Sequence, residues 1–166
     1  MTMPTFLVLA LGLAAAVVMD VRSRRIPNWL TAGIAAAGFG LAFGGGAVTP
    51  GQAALGLMAG LLLMMPAHVI GAMGAGDVKL MASVGAVVGP DMVLRAFLYS
   101  AIAGGALAIV VAARRGILAS TLQDTSRLVL SPLQARGAIE SSSRANRFAF
   151  GPAIAVGTLV SLMVTS

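Results

Sequence analysis

Cysteine is absent from this 166-residue chain, and charged residues make up only 10% of it. The absence of cysteine excludes disulfides, thiolate zinc sites and cysteine nucleophiles together. A soluble domain is normally about a quarter charged, so this chain has too few charges to cover a water-facing surface. With 58% hydrophobic residues and a mean hydropathy of +0.97, the composition indicates a membrane protein.

Motifs of several other chemistries are also missing. The sequence contains no HExxH zinc motif, no P-loop and no GxSxG nucleophile elbow. Its one histidine, His68, is weak evidence for a metal, because a lone histidine more often packs or forms a hydrogen bond. We therefore expect no cofactor and no metal. The net charge of +6 is accounted for by the basic loops that membrane orientation requires, so we expect no nucleic-acid partner.

Apolar runs follow one another along the chain and predict membrane-spanning helices. Such a helix needs about 20 apolar residues, and glycine, proline and asparagine mark the breaks between runs. The first run precedes its arginines, the reverse of a secretory signal, so we expect it to remain as a span. The predicted helices cover about residues 4–19, 29–43, 51–70, 78–89, 92–113 and 148–165.

Lysine and arginine orient these runs, because they collect on the cytoplasmic side of a membrane. The fourth run is short, but if it did not cross, the arginine-bearing segment after the fifth run would face outward. With six spans and the N-terminus outside, Arg95 is the basic residue that falls on the outer side. The prediction is an all-α, polytopic membrane bundle of about six transmembrane helices. It forms a single domain over residues 1–166, with a cytoplasmic loop at about 114–147.

Small residues predict where helices pack closely. The pairs Gly40/Gly44, Gly56/Gly60 and Gly85/Gly89 have the GxxxG spacing that lets helix backbones approach in lipid. Glycine and alanine are abundant throughout the chain, so this spacing bears on packing and says little about function.

Acidic residues are few, and the predicted spans separate them. Of the five in the chain, Asp124 and Glu140 fall in the long loop and Asp91 falls on the outer side. Asp20 ends the first span and Asp77 opens the fourth, both at the cytoplasmic edge. These two are the one pair of carboxylates predicted at the same edge of the hydrocarbon.

Each of these aspartates has a structural interpretation and a chemical one. Singly, Asp77 would serve as a helix N-cap, and Asp20 would balance the arginines that follow it. Together, two carboxylates held close share a proton. One then acts as a base on a water, while its protonated partner polarises a scissile carbonyl.

Residues around Asp77 fit either interpretation. The glycines at positions 71, 74 and 76 would allow backbone angles closed to other residues and the close approach of a substrate strand, or they would simply form a turn. Lys79 would be a cytoplasmic anchor or a cation that tunes the charge of Asp77.

Three segments together resemble the signatures of bacterial prepilin peptidases. "DVRSRRIPNWLT", residues 20–31, resembles the first signature, an aspartate followed by a basic stretch and I-P-N. "GAGDVKLMASVGAVVG", residues 74–89, resembles the GxGD signature. "FAFGPAIAVGTLV", residues 148–160, resembles the last helix, with Ala149 where the family usually has proline.

The resemblance implies an intramembrane-type aspartic endopeptidase of the bacterial inner membrane, with Asp20 and Asp77 as its catalytic pair. Its implied partners are the lipid bilayer and prepilins, from which it removes a short basic leader. Larger members also methylate the new N-terminus and carry cysteine pairs; this short, cysteine-free chain more resembles the peptidases of Flp/Tad pilus systems, and N-methylation is not supported. The implied substrate-binding and motif residues are Gly74, Gly76, Lys79, Pro27 and Asn28.

Three alternatives stay open from the sequence. A small transporter or channel component would use Asp20 and Asp77 to bind a cation or relay protons. A non-catalytic scaffold of a secretion system would use them as helix caps. A protease with another substrate is the third, since GxGD also occurs in presenilin-like enzymes. The sequence does not define the oligomeric state.

Overall fold

A computed structural model of the protein describes residues 2–69, 71, 73–114 and 150–164. These residues form six helices and no strand, so the all-α, six-helix prediction is confirmed. The predicted loop at about 114–147, with Asp124 and Glu140, lies outside the described residues after position 114. The helices are α1 (Met3–Ser23), α2 (Asn28–Phe43), α3 (Pro50–Val69), α4 (Ala75–Val88), α5 (Pro90–Arg114) and α6 (Gly151–Val164).

The outer surface of the bundle is apolar. Helices α1 and α3 and the Pro90–Val111 part of α5 are long and apolar enough to cross a membrane, while α2 and α6 are shorter apolar helices. Large hydrophobic side chains point outward from several of them; Leu11 is 70% exposed and Ile102 is 68% exposed. An exposed apolar surface of this extent requires lipid around it. The protein is therefore a membrane protein built as a helical bundle.

Helix α4 lies at the centre of the bundle. It contacts each of the other five helices, and ten of its 14 residues are buried. Its side chains join those of Leu9 on α1, Met64 on α3 and Ile154 on α6 in one hydrophobic core. A helix enclosed by protein does not have to match the thickness of the bilayer, which explains why the fourth apolar run is short.

Glycines allow α3 to pack closely against α4. Gly56 and Gly85 oppose each other so tightly that a Cβ on either would overlap the carbonyl oxygen of the other. Gly60 lies almost as close to the backbone of Met81, one turn further along. The GxxxG prediction is therefore confirmed for this helix pair.

The same prediction is wrong for α2. A Cβ on Gly40 would meet nothing within 4 Å. Gly38 makes the close approach instead, because a Cβ there would lie 2.9 Å from the carbonyl oxygen of Ala86. Spacing alone identified small residues on α2 but did not identify the one that faces α4.

Candidate functional site

Both aspartates singled out by the sequence are buried at helix ends. Asp20 lies in the last turn of α1 and is 6% exposed, and Asp77 lies in the first turn of α4 and is 8% exposed. Carboxylates are almost never buried to this degree unless neighbouring groups stabilise them. The two positions therefore depend on specific surroundings.

A left-handed turn ends α1 and directs the chain toward α4. Arg24 has a φ of 52°, and its backbone N–H donates to the carbonyl oxygen of Asp20 at 2.8 Å. The turn places Ile26 against Gly76, where a built Cβ would lie 3.2 Å from Cβ of Ile26. The segment that follows Asp20 thus contacts the residue that precedes Asp77. Both aspartates lie at the same end of the bundle.

A side-chain hydrogen bond links the same two segments. The Lys79 ammonium donates to Oδ1 of Asn28 at 2.9 Å, across 51 positions of sequence. Pro27 is the N-cap residue of α2, and its carbonyl oxygen accepts from the backbone N–H of Leu30 at 3.2 Å. Lys79 on α4 is therefore tied to the start of α2, just beyond the turn that follows Asp20.

The glycines next to Asp77 are explained by the closeness of neighbouring side chains, not by an unusual backbone conformation. Gly74 is the N-cap of α4 with an ordinary φ of −74°, and Gly76 is helical. The prediction of unusual backbone angles is confirmed at Gly71, which has a φ of 80°, and is wrong at these two positions. A Cβ on Gly74 would lie 3.2 Å from Oδ2 of Asp77. The carboxylate therefore folds back over the start of its own helix, and Asp77 is not itself the N-cap.

Gly151, the first residue of α6, was missed by the sequence reasoning. Its backbone N–H donates to Oδ2 of Asp20 at 2.8 Å, in a buried position. A glycine directly before Pro152 at a helix start was the available signal, since proline favours the first turn of a helix. The sequence indicated the helix but gave no indication of what its first N–H contacts.

His68 has a local structural role. Its Nδ1–H donates to the carbonyl oxygen of Met73 at 3.0 Å, within the connection from α3 to α4. This contact supports the hydrogen-bonding interpretation of the lone histidine. Within the described ranges, no cluster of three or more histidine, aspartate or glutamate side chains is arranged to hold a metal ion.

The opposite end of the bundle has a different character. There the C-terminal end of α4 borders a shallow depression of about 240 Å³, whose lining includes Gln52, Asp91 and Arg95. Asp91 lies in the first turn of α5. The length of α4 separates it from Asp77, so Asp91 takes no part in the arrangement at the other end.

The fold and these contacts define a membrane protein that buries two carboxylates at one end of a helical bundle. A sequence profile of the type IV leader peptidase family matches residues 7–109, well over half of the chain, and the match includes both aspartates. The chain therefore belongs to the type IV leader peptidase family and is a peptidase. The predicted resemblance is confirmed at the level of the family. Comparison with curated proteins and with solved structures gave no significant match.

Proposed function

We propose that this protein is an aspartic endopeptidase that cleaves the basic leader from type IV-like prepilins of the Flp/Tad type. Its catalytic pair is Asp20 and Asp77. One observation carries the proposal: in a member of a leader peptidase family, these two carboxylates are buried at the same end of the bundle. The contact between Ile26 and Gly76 joins the segment that follows Asp20 to the residue that precedes Asp77. Burial lowers the local dielectric and strengthens the interaction between two such groups.

The proposed reaction uses the two carboxyl groups as base and acid. One carboxylate removes a proton from water as the water oxygen attacks the scissile carbonyl carbon, and the protonated partner donates its proton to the carbonyl oxygen. The gem-diol then loses its C–N bond. The first carboxyl protonates the leaving nitrogen while the second takes back a proton from the gem-diol. The pair returns to one shared proton and titrates as a unit.

The other motif residues have positioning roles in this proposal. Gly74 and Gly76 keep free the space that the Asp77 carboxylate and Ile26 occupy. Pro27 is the N-cap of α2 and Asn28 is its first residue. The bond from Lys79 holds that start against α4. These contacts therefore hold the start of α2 and the start of α4 together at the end of the bundle that contains the carboxylates.

The proposed location is the bacterial inner membrane, with several spans, the N-terminus outside and the carboxylates at the cytoplasmic face. A prepilin has its basic leader in the cytoplasm and its apolar helix in lipid, by the same charge rule that orients the enzyme. Its cleavage site would then lie at the depth of Asp20 and Asp77. The basic residues of the enzyme repel a basic leader only within about 10 Å, because salt screens them beyond that distance.

The interior of α4 supports a hydrolase over a transporter or channel component. An ion path from Asp77 along this helix would need polar groups at each step. The fully buried side chains there are mostly apolar, chiefly Leu80, Met81, Val84 and Val87. The buried hydroxyl of Ser83 donates to the carbonyl oxygen of Leu80 within the same helix. Along the described length of α4, these groups offer no chain of sites for a cation.

Co-expression with a tagged Flp-type prepilin tests the proposal. Wild type is compared with Asp20→Asn and Asp77→Asn, which keep the size of each side chain and remove its acid–base function. We expect each change to lower the cleavage rate by about 10³-fold, the middle of the range for loss of general acid–base catalysis. Mass spectrometry of the pilin N-terminus gives both the extent and the position of cleavage.

Asp91→Asn is the matched control, because this aspartate also lies in the first turn of a helix but at the opposite end of the bundle. It should cleave at the wild-type rate, and all variants should reach the membrane in equal amounts. Near-normal cleavage by either the position-20 or the position-77 variant removes that residue from the mechanism. The transporter would be established instead by two results together: the wild type cleaves no prepilin, and it carries a cation flux in proteoliposomes that both variants lose.

A further inference from the structure

Asp20 receives its hydrogen bond from a helix outside the region that matches the family profile. The profile match ends at residue 109, whereas the donor is Gly151, 131 positions beyond Asp20 in sequence. The bond joins the last turn of α1 to the first residue of α6. It is a buried contact between a backbone N–H and a carboxylate oxygen, 2.8 Å apart.

Only glycine fits at position 151 without movement. A built Cβ would lie 2.8 Å from Oδ2 of Asp20, 3.2 Å from its Cβ and 3.3 Å from its Cγ. The φ of Gly151 is not in the left-handed region, so backbone conformation does not demand glycine there. The requirement comes from the closeness of the Asp20 side chain.

The start of α6 is itself held firmly against α5. The ring of Phe150 lies over Gly104 so closely that a Cβ on that glycine would overlap it. Further along, Gly157 lies against the backbone of Ser100. Because the donor belongs to a packed helix rather than to a loop, it defines a fixed point for the Asp20 carboxylate.

We propose that Gly151 is a positioning residue for catalysis. Its N–H holds Oδ2 of Asp20, so that the other carboxylate oxygen is presented to the attacking water. A hydrogen bond to a carboxylate is short and charge-assisted, and the positive end of the α6 dipole adds to it. The inference rests on the proposed function, since Asp20 must be one of the reacting groups for its orientation to matter.

Steady-state kinetics of the purified full-length enzyme in lipid nanodiscs, with a prepilin substrate, tests this role. Gly151→Ala keeps the N–H and adds a Cβ that displaces Asp20. We expect kcat to fall about 100-fold, the cost of misplacing a reacting group by about 1 Å, with KM changed less than about threefold. Gly151→Pro also removes the donor at a helix position that tolerates proline. We expect a further loss of at least about tenfold, because the change removes one hydrogen bond to a charged acceptor and places the ring Cδ against Oδ2 of Asp20.

The binding affinity of a hydroxyl-containing isostere of the scissile peptide provides a second measurement. A merely structural role of Gly151 would leave this affinity unchanged. Because the isostere mimics the tetrahedral intermediate, its binding should weaken roughly in parallel with kcat/KM, while an uncleaved substrate analogue binds as before. Gly105→Ala is the matched control, since this helical glycine on α5 has nothing within 4 Å of a built Cβ. It should match wild type in every measurement.

Phe150→Leu provides a second route if the Gly151 variants do not fold. It leaves the atoms of Gly151 unchanged but loosens the contact with Gly104, and we expect kcat to fall about tenfold with KM preserved. The inference is overturned if wild type cleaves and the folded variants keep wild-type kcat, or if they lose only substrate affinity. If the wild type cleaves no prepilin, the proposed function itself is wrong. Failure of the proposed function is thereby distinguished from failure of the inference about Gly151.

Discussion

Helices α4 and α5 are neighbours in sequence, separated by Gly89 alone, yet they have opposite surroundings. Helix α4 has 14 residues, ten of them buried, whereas α5 has 25 residues and exposes a row of large apolar side chains that includes Leu98 and Ile102. At the standard helical rise, α4 is about 21 Å long and α5 about 37 Å. One matches the dimensions of a protein interior and the other those of a bilayer.

This difference shows that lipid and protein select residues by different criteria. Lipid selects for length and apolarity, so α5 is identified as a span from composition. Protein selects for shape, so α4 has small residues where α2 and α3 approach. Enclosure by five helices also shields Asp77 from hydrocarbon. The central helix therefore gives a buried carboxylate surroundings that lipid could not provide.

Enlarging a glycine should give the largest difference in stability between a change on α4 and the same change on α5. Gly85→Leu forces a side chain into the backbone of Gly56, and we expect it to lower the free energy of unfolding by at least about 3 kcal/mol, the upper range for overpacking. Gly105→Leu on α5 adds the same side chain where nothing lies within 4 Å. It should be neutral or slightly stabilising. Reversible unfolding in mixed micelles measures the free energy of unfolding of both variants. Equal effects would contradict the conclusion that α4 is closely packed against its neighbours.

Truncating a large side chain should give the next largest difference. Leu80 on α4 is fully buried, and Leu80→Ala should cost about 2–5 kcal/mol through lost contacts and a cavity. Ile102→Ala on α5 removes a side chain that faces lipid and should change stability by less than about 0.5 kcal/mol. The same unfolding measurement applies. A cost at Ile102 comparable with that at Leu80 would mean that protein, not lipid, covers this face of α5.

Removing a buried hydroxyl should lower stability by the same amount on α4 and on α5. Ser83 on α4 and Ser100 on α5 are both buried, and each donates to a carbonyl oxygen of its own helix, at 2.7 and 2.6 Å respectively. The Ser100 hydroxyl also lies 3.5 Å from the carbonyl oxygen of Ile154 on α6, a distance at which a hydrogen bond adds little. We expect Ser83→Ala and Ser100→Ala each to cost about 0.6 kcal/mol, the average for side-chain hydrogen bonds between membrane helices. A larger cost for Ser100→Ala, beyond the error of the unfolding measurement, would show that the longer contact with Ile154 on α6 also contributes to stability.

The bond between Lys79 and Asn28 should have the smallest effect, because it lies at the exposed edge of α4. In a double-mutant cycle with Lys79→Met and Asn28→Ala, we expect a coupling energy of about 0.5 kcal/mol, the lower end for a net hydrogen bond. The cycle is measured on unfolding and repeated on the cleavage rate. A coupling seen only in cleavage would show that the bond matters more to the site than to the fold.

Much of the fold could be predicted because hydropathy and charge act locally. The predicted end of the second run at residue 43 coincides with the end of α2. The starts of α4 and α5 lie two or three residues earlier than predicted, at Ala75 and Pro90, because the hydropathy pattern does not register the polar first turn of a helix. The arginine distribution also predicted that the short fourth run crosses the membrane. The run does form a helix, α4, and its crossing stays a prediction.

The site was predicted in part. Asp20 and Asp77 were placed at one edge by span counting, and the contact between Ile26 and Gly76 agrees with that. Nothing in the pattern could pair Gly151 with Asp20 or Lys79 with Asn28. Such pairings depend on how each helix is rotated about its axis.

The sequence by itself determined that this protein is a bundle of apolar helices, with a small number of acidic side chains at the ends of its hydrophobic runs. The free energy of moving each segment from water into an apolar medium is nearly a sum over its own residues. The tertiary structure alone decided that α4 is central and that the last helix supports Asp20. Lipid and protein are almost equally favourable neighbours for an apolar side chain, so close packing and hydrogen bonding choose between them.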